Sequence, residues 1–505
     1  MTVYSFNQGI GWASSGVEYA QAYRAKVFKN LGIEAKFIFT DLILGENLET
    51  LTANIGFDDE EIIWLYQYFT DIKIAPSSYT LDQLKASLDF EKRQGKLERV
   101  NEHTVRLLFA KDDQYATVYL KKGTADIVDR VEYVSGKYLI RKDYFTYTRL
   151  FTEYYAPFDN KATVYLRRFY NEDGSIAYEE FVDQDKSWYR FKDKICYSKA
   201  EFIEYFIRSL QLTKDDVLII DRATVVGQPA LVAHGPAKIG VVVHAEHFSE
   251  NSTDDDYILW NNFYEYQFDH ADEIDFFVTA TEKQKELLSA QFKKYCEIEP
   301  KIVAIPVGSL AKLSQPTVKR KPYSLITASR LAGEKHIDWL IQAVVKAKKQ
   351  LPELSFDIYG EGSQRSLLNN LITANNAQDY IKLKGHHDLK TIYPKYEAYL
   401  SGSTSEGFGL TLMEAVGSGL GMIGLNVRYG NQTFIADGKN GYLLDFKNTN
   451  EQKLLINSLA EKIVEFFTTA DLTEVHQVSY DLAKGYLTTE VEQKWQNLLG
   501  ELKND

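Results

Sequence analysis

Between residues 324 and 421 short apolar runs recur with room for one helix between most of them: 324–328, 355–359, 381–384 and 396–400, with helical periodicity over 335–351 and 365–374. Strands joined through helices cannot be hairpins; they cross over right-handedly into a parallel sheet. The loops at the carboxyl ends of such strands are where an open α/β sheet holds its ligand. The same alternation opens the chain. Residues 3–6 and 37–39 read as strands around a helix whose apolar positions are Val17, Ala20, Val27, Phe28 and Leu31, and Gly9, Gly11 and Gly16 punctuate the first turn. Ser15 stands three positions before Glu18, a capping-box spacing. Segments 217–221, 239–244, 275–279, 282–292 and 301–307 continue the alternation, so the chain is expected to be α/β with two such sheets.

The last of the runs named in the second half leads into SGSTSEGFGLTLMEAVGSGLG, residues 401–421. It reads as strand, tight loop and helix. Gly407 and Gly409 lack a Cβ, so the amides between Glu406 and Leu410 can approach a ligand at the positive end of the helix. Glu406 precedes that helix and Glu414 lies about one turn inside it, and a carboxylate beside such a site accepts from paired ribose hydroxyls. A capped core helix with two solvated glutamates fits the same residues. Upstream, Arg330 and Lys335 stand where the first strand of this half gives way to its first helix, which reads as a diphosphate clamp made without a metal. Gly360-Glu361-Gly362 and Gly385-His386-His387 close the next strands, where a nucleobase could lie. His244 ends a strand on the ligand side of the first sheet.

From about Leu44 the pattern changes. Residues 60–69 and 81–90 read as helices, and then come VRLLFA, ATVYLKK, DIVDRVEYV, KYLIR, FTYTRLF, ATVYLRRFY, IAYEEFV and SWYRF, separated by turn signals such as Ser135-Gly136 and Asp173-Gly174. Residues 104–197 are therefore expected to form an antiparallel meander inserted into the first α/β domain, with an edge or face open to a partner or an extended acceptor. A helix at 199–210 returns to the α/β pattern. Residues 312–322, with two prolines and four basic residues, read as a linker, and helices at 452–467, 472–482 and 489–502 end the chain.

A chain of 505 residues exceeds one ordinary core. Its net charge of −13 argues against a nucleic-acid binder, which needs concentrated basic charge. Cys196 and Cys296 are the only cysteines, so neither a disulfide framework nor a thiolate zinc site is expected. His244 and His247 lack the further ligands a metal would need, and Asp254, Asp255 and Asp256 fall in a polar loop. The start MTVYSFNQGIGWASSG has no signal-peptide pattern, and no apolar run approaches the ~18 residues of a membrane span, so a cytoplasmic protein is expected.

SEGFGLTLMEA in the second of two Rossmann-like halves resembles the retaining glycosyltransferases of family 4, in which two glutamates with seven residues between them mark the donor site. GIGWASSGVEYAQAYRA, LTANIGFDD, HAEHFSEN, WNNFYEYQF and VRYGNQTFI narrow the likeness to the GtfA-type subunits that glycosylate serine-rich repeat adhesins of Gram-positive bacteria. The resemblance implies a GT-B fold: two Rossmann-like domains facing a cleft, with an inserted antiparallel β-meander domain. The expected boundaries are 1–44 with 211–315 for the N-terminal domain, to which a helix at 488–505 returns, 45–210 for the insert and 316–487 for the donor-binding domain.

It further implies transfer of N-acetylglucosamine from UDP-GlcNAc to Ser or Thr hydroxyls with retention at the anomeric carbon, the first step of adhesin O-glycosylation. Gly16, Val17, Glu18 and Tyr19 would meet the diphosphate and His244 the donor sugar. Arg330 and Lys335 would neutralise the leaving phosphates, and His386 and His387 would border the uridine, beside the turn with Gly360 and Gly362. Glu406, Gly407, Phe408 and Gly409 would hold sugar hydroxyls and Glu414 the ribose. Of these, His244, Arg330, Lys335 and Glu406 are the expected catalytic residues, with no cofactor and no metal. The implied partners are a homologous, non-catalytic GtfB-type co-subunit on the inserted sheet and a Ser/Thr-rich acceptor protein, with peripheral membrane association through the complex. One departure stands out: family members often read Lys-Gly after the clamp arginine, and here the pair is Lys335-His336. A GlcNAc transferase acting on wall teichoic acid and a non-catalytic, lectin-like adaptor are the alternative readings.

Overall fold

The computed structural model describes residues 1–12, 14–109, 113–446 and 452–504; Ala110, which ends the run VRLLFA, and Asp505, the last residue of the expected C-terminal helix, lie outside them. The chain divides into two compact units, residues 1–25, 33–240 and 266–273 in one and 26–32, 241–265 and 274–505 in the other.

In the first unit the strand Thr2–Asn7 pairs in parallel with Glu34–Phe39 on one side and Val217–Ile220 on the other, and Glu34–Phe39 pairs with Ile62–Trp64. These belong to a seven-stranded sheet. Strand order reverses at Thr2–Asn7, so the carboxyl ends of that strand and of Val217–Ile220 flank a topological switch point. Residues 60–69 are not the expected single helix: Asp59–Glu61 is one 3₁₀ turn, Ile62–Trp64 is the strand at the end of the sheet, and the α-helix is confined to Leu65–Tyr68. Ile62 and Trp64 are buried on a sheet face, and over so short an apolar run strand and helix spacing coincide.

The inserted sheet has ten strands, from Lys96–Asn101 to Ile195–Cys196, each antiparallel to the next and in strict chain order. It is a meander, as expected, with two corrections. FTYTRLF spans two strands, Tyr138–Phe145 and Arg149–Phe158, joined by a turn in which the Thr146 amide donates to the Thr148 carbonyl. The first strand, Lys96–Asn101, precedes residue 104 and is exposed along its whole length, so it shows no apolar alternation to read. One end of the sheet closes over Leu81 and Leu84 of the helix Leu81–Ser87, and Val105, Leu107, Val118 and Val131 complete that core. The other end is aromatic: Phe151, Phe169 and Tyr178 stack in sequence at 5.3 and 4.4 Å. Phe202, from the helix Lys199–Ser209, packs 5.8 Å from Tyr178. Lys199 joins this aromatic end to the parallel sheet, donating to the Thr40 carbonyl and to the Tyr66 hydroxyl, and burial pushes its ammonium down to about 8.

In the second unit six parallel strands form one sheet, in the order Ile381–Gly385, Ser355–Tyr359, Ser324–Ala328, Ala398–Ser401, Gly421–Leu425 and Gly441–Leu444. The switch point lies between Ser324–Ala328 and Ala398–Ser401. The last two strands and the helix Gly430–Phe434 between them go beyond the elements expected from the sequence. The helix Ile337–Ala347 buries seven of its eleven residues, and Leu412, Met413, Ala415 and Val416 of Leu410–Gly417 pack into a second core. Residues 312–322 have no regular structure, yet Arg320 is buried and donates to the carbonyls of Pro394, Tyr396 and Ser418, which pins the expected linker to this unit. The final helix, Thr488–Asn504, sets Trp495 edge-on to Phe28 at 5.2 Å, while Lys494 donates to the Ala304 carbonyl. No helix among the described residues is long and apolar enough to cross a membrane.

Candidate active site

At the carboxyl edge of the six-stranded sheet three loops are joined backbone to backbone. The Ser329 amide donates to the Tyr359 carbonyl at 3.1 Å, Leu331 to Glu361 at 2.9 Å and Gly360 to Gly385 at 2.8 Å. A Cβ on Gly360 would overlap the Ser329 carbonyl oxygen and one on Gly362 the Leu331 carbonyl. Gly360 also holds φ 124°, closed to ordinary L residues. These two glycines, expected beside a nucleotide, serve first to press their turn against the backbone that carries Arg330.

Arg330 itself is 69% exposed and pairs with Glu334 at 3.4 Å. Lys335 is the opposite case: its side chain is 15% exposed and its Nζ lies 2.7 Å from Glu406 Oε2, which also accepts from the Ser403 hydroxyl at 3.3 Å. The expected helix over 335–351 starts later, at Ile337, after a single 3₁₀ turn, Gly333–Lys335. His336 makes the joint in left-handed backbone, φ 43°, which explains why a glycine suits this position. Here the imidazole stacks on Trp339 at 3.6 Å, a contact that offsets the cost of a side chain in that conformation.

The Glu406 loop is held from behind. Amides of Tyr429 and Gly430 donate to the Glu406 carbonyl at 2.7 and 2.8 Å, and a Cβ on Gly407 would overlap the His244 carbonyl oxygen. His244 therefore sits with its backbone against this loop, just past the strand Lys238–Val243, while the Tyr264 hydroxyl accepts from its amide at 3.0 Å. Phe408 is 4% exposed and packs on Phe434, so only its backbone is available to a ligand. Gly409 caps the helix Leu410–Gly417 at φ 84°. Replacing Gly407 with alanine should displace the His244 end of this contact; we expect kcat to fall roughly a hundredfold, with a loss of about 1–3 kcal/mol in denaturant unfolding.

Glu414 lies on that helix, and its carboxyl is pushed up to about 7, chiefly by burial and further by Asp388, while Tyr393 and Lys390 pull it down. His386 and His387 are exposed; His387 pairs with the Lys384 carbonyl at 2.9 Å and lies edge-on to Tyr359.

Gly16, Val17, Glu18 and Tyr19 belong to the first unit, where they begin the helix Gly16–Asn30. Glu18 is buried and accepts from the Ser15 amide at 2.5 Å, from Asn7 at 3.2 Å and from Arg222 at 3.3 Å. Burial opposes its charge, but these donors outweigh it and hold the carboxyl below its ordinary range. Its side chain thus orders the helix start, and Gly16 and Tyr19 are the exposed members of the set.

The chain matches the model of the GtfA extended beta-sheet domain over residues 96–193 and that of Glycosyl transferases group 1 over 311–463. It is 56% identical over 510 residues to the UDP-N-acetylglucosamine--peptide N-acetylglucosaminyltransferase GtfA subunit of Streptococcus gordonii, covering 100% of this chain and 99% of that one. The chain belongs to the GtfA subunit family. A crystal structure of the GtfA/B complex aligns with a TM-score of 0.95 at 56% identity over 100% of both chains. The pneumococcal O-GlcNAc transferase GtfA, in complex with UDP and GlcNAc, aligns with a TM-score of 0.93 at 52% identity over 100% of this chain and 99% of that one. The GtfA match at 96–193 coincides with the inserted meander and begins with the strand at Lys96 that the alternation does not show.

One group of residues at this site escapes sequence reasoning. Tyr429, 1% exposed, donates its hydroxyl to Glu246 Oε1 at 2.5 Å and lies 3.1 Å from His247 Nδ1. Arg428 pairs with Glu250 at 2.8 Å and lies 3.6 Å from Glu246. His247 is fully buried and its Nε2 meets Gln291 Oε1 at 2.6 Å, so it is a structural histidine. VRYGNQTFI carries part of the GtfA likeness, but nothing in it alone says that its tyrosine reaches HAEHF.

Proposed function

We propose that this chain is the retaining glycosyltransferase subunit that moves N-acetylglucosamine from UDP-GlcNAc to Ser or Thr residues of a serine-rich repeat adhesin, the first step of its O-glycosylation. The observation that carries the reading is the Lys335–Glu406 pair together with the exposed Arg330, at the edge of a parallel sheet where such folds hold a nucleotide. Arg330 and Lys335 supply positive charge to the departing diphosphate, a role that needs no metal ion. The acceptor hydroxyl attacks the anomeric carbon on the face from which UDP leaves, so no second carboxylate is needed ~5 Å from the first, as in a retaining glycosidase. Glu406, with the amides of Gly407, Phe408 and Gly409, holds sugar hydroxyls, His244 approaches the sugar, and Glu414 takes the ribose, with His386 and His387 near the base.

The inserted sheet carries the partner role: a homologous co-subunit of the GtfB type docks there, a reading supported by the GtfA/B complex formed by a relative 56% identical over its whole length. The working place that fits a nucleotide-sugar donor is the cytoplasm, with peripheral membrane association through the complex. Neither a teichoic acid transferase nor a lectin-like adaptor is favoured, because the full-length relative is a peptide GlcNAc transferase subunit and the charged pair is intact. Incubating the chain and its co-subunit with UDP-GlcNAc and a serine-rich peptide should raise the peptide's intact mass by whole N-acetylhexosamine residues. No gain with the peptide, or gain only on a polyol-phosphate polymer, would overturn the proposal.

A further inference from the structure

Glu406 and His244 are 162 residues apart in sequence, and the sugar-binding role proposed above requires their spacing to be held. Tyr429 connects their two segments. Its amide donates to the Glu406 carbonyl at 2.7 Å, and Gly430 adds a second donation at 2.8 Å, so the chain at 429–430 is fastened to the loop that bears Glu406. At its other end the phenol hydroxyl donates to Glu246 at 2.5 Å and lies 3.1 Å from His247, two and three residues beyond His244. The segment it grips is fixed in turn: Gln284 donates to the Ala245 carbonyl at 2.8 Å, Gln291 meets His247 at 2.6 Å, and the Tyr264 hydroxyl accepts from both the His244 and Ala245 amides at 3.0 Å. The ring stacks near-parallel to His247 at 6.0 Å and is 1% exposed, so the phenol has no room to swing away.

We propose that Tyr429 is a positioning residue of the donor site, a strap that sets the distance between the His244 backbone and the Glu406–Gly409 loop through its bonds to Glu246 and Glu406. Tyr429 touches no donor atom in this role. It acts through residues that do, and it rests on the reading of Glu406 and His244 as sugar-facing groups. The buried hydroxyl gives its one proton to the Glu246 carboxylate, a directional contact; removing it leaves that oxygen short of a donor and the two segments held by packing and by the Arg428 pairs with Glu246 and Glu250. Misplacement of sugar-facing groups by a fraction of an ångström to one ångström costs on the order of ten- to a hundredfold in turnover.

The test is Tyr429→Phe in the full chain, assayed with its co-subunit and a serine-rich peptide. UDP affinity should stay within about twofold of the unaltered chain, because Arg330, Lys335 and Glu414 are untouched, while kcat with UDP-GlcNAc falls roughly ten- to a hundredfold. Glu246→Gln, which retains an oxygen to accept from the phenol, should keep most of the turnover. Glu246→Ala should match Tyr429→Phe, and the double substitution should cost little beyond either alone. A Tyr429→Phe protein with unchanged kcat, or one in which UDP affinity and turnover fall together with the melting temperature, would overturn the strap. If the unaltered chain bound no UDP, the donor-site reading would fail first, and that result is separate from either outcome for Tyr429.

Discussion

Lys335→Ala should lower kcat with UDP-GlcNAc by about 10²–10³, and Arg330→Ala by about 10², measured at saturating donor with the co-subunit present. The two losses differ in cause. Arg330 is 69% exposed and its ion pair with Glu334, at 3.4 Å, is a surface contact worth at most about 1 kcal/mol, so its alanine variant should melt close to the unaltered chain. What it loses is the exposed cation that the proposed clamp sets against the leaving phosphate. Lys335 is 15% exposed and neutralises a Glu406 that is itself only 20% exposed. Removing Lys335 therefore withdraws charge from the proposed diphosphate site and also leaves a largely buried carboxylate without its ion-pair partner, the Ser403 hydroxyl at 3.3 Å still donating to it. The lysine variant should be the less stable of the two, and Lys335→Arg should recover part of the rate by restoring charge in a bulkier, planar form. Normal turnover by both alanine variants would remove the clamp from the mechanism.

Much of this architecture is legible in the sequence because the central strands of the second parallel sheet are covered on both faces. Ser324–Ala328 and Ala398–Ser401 are buried at every position and read as compact, mostly apolar runs, and 324–328, 355–359 and the helix 365–374 fall at the residues where the structure has them. Legibility fails where burial is partial or pairing is remote. Ile62–Trp64 is too short for its period to be distinguished from a helix, and Lys96–Asn101 is an end strand exposed at all six positions. At the site, residue types were readable but their company was not. Lys335 and Glu406 are 71 residues apart, and Tyr429 and Glu246 are 183 apart, and no periodicity encodes such pairings. The glycines of the site loops are a middle case. Their lack of a Cβ is visible in the sequence, but its use at Gly360, Gly362 and Gly407 is close approach of one loop to another, which only the folded chain reveals.

Glu414→Gln should separate stability from donor binding in opposite directions. The carboxyl, ordinarily near 4.5, is pushed up to about 7, first by burial, with Asp388 adding to it and Tyr393 and Lys390 opposing. Between about pH 4.5 and about pH 7 the folded chain therefore holds a proton that the unfolded chain has lost. The stability tied to this group is whole below pH 4.5 and declines as pH rises to about 7, by about 3 kcal/mol in all. A neutral amide escapes that decline, so at pH 8 Glu414→Gln should melt a few degrees above the unaltered chain, with the advantage vanishing near pH 4.5. Donor binding should move the other way. Ribose hydroxyls donate best to an ionised carboxylate, so UDP-GlcNAc affinity of the unaltered chain should rise with pH through about 7, whereas the glutamine variant binds roughly tenfold or more weakly and without that dependence. UDP-GlcNAc suits this measurement because its doubly esterified diphosphate does not titrate in the range. A glutamine variant that bound the donor as tightly as the unaltered chain at pH 8 would take Glu414 out of the nucleotide site and leave its raised carboxyl as a feature of the core alone.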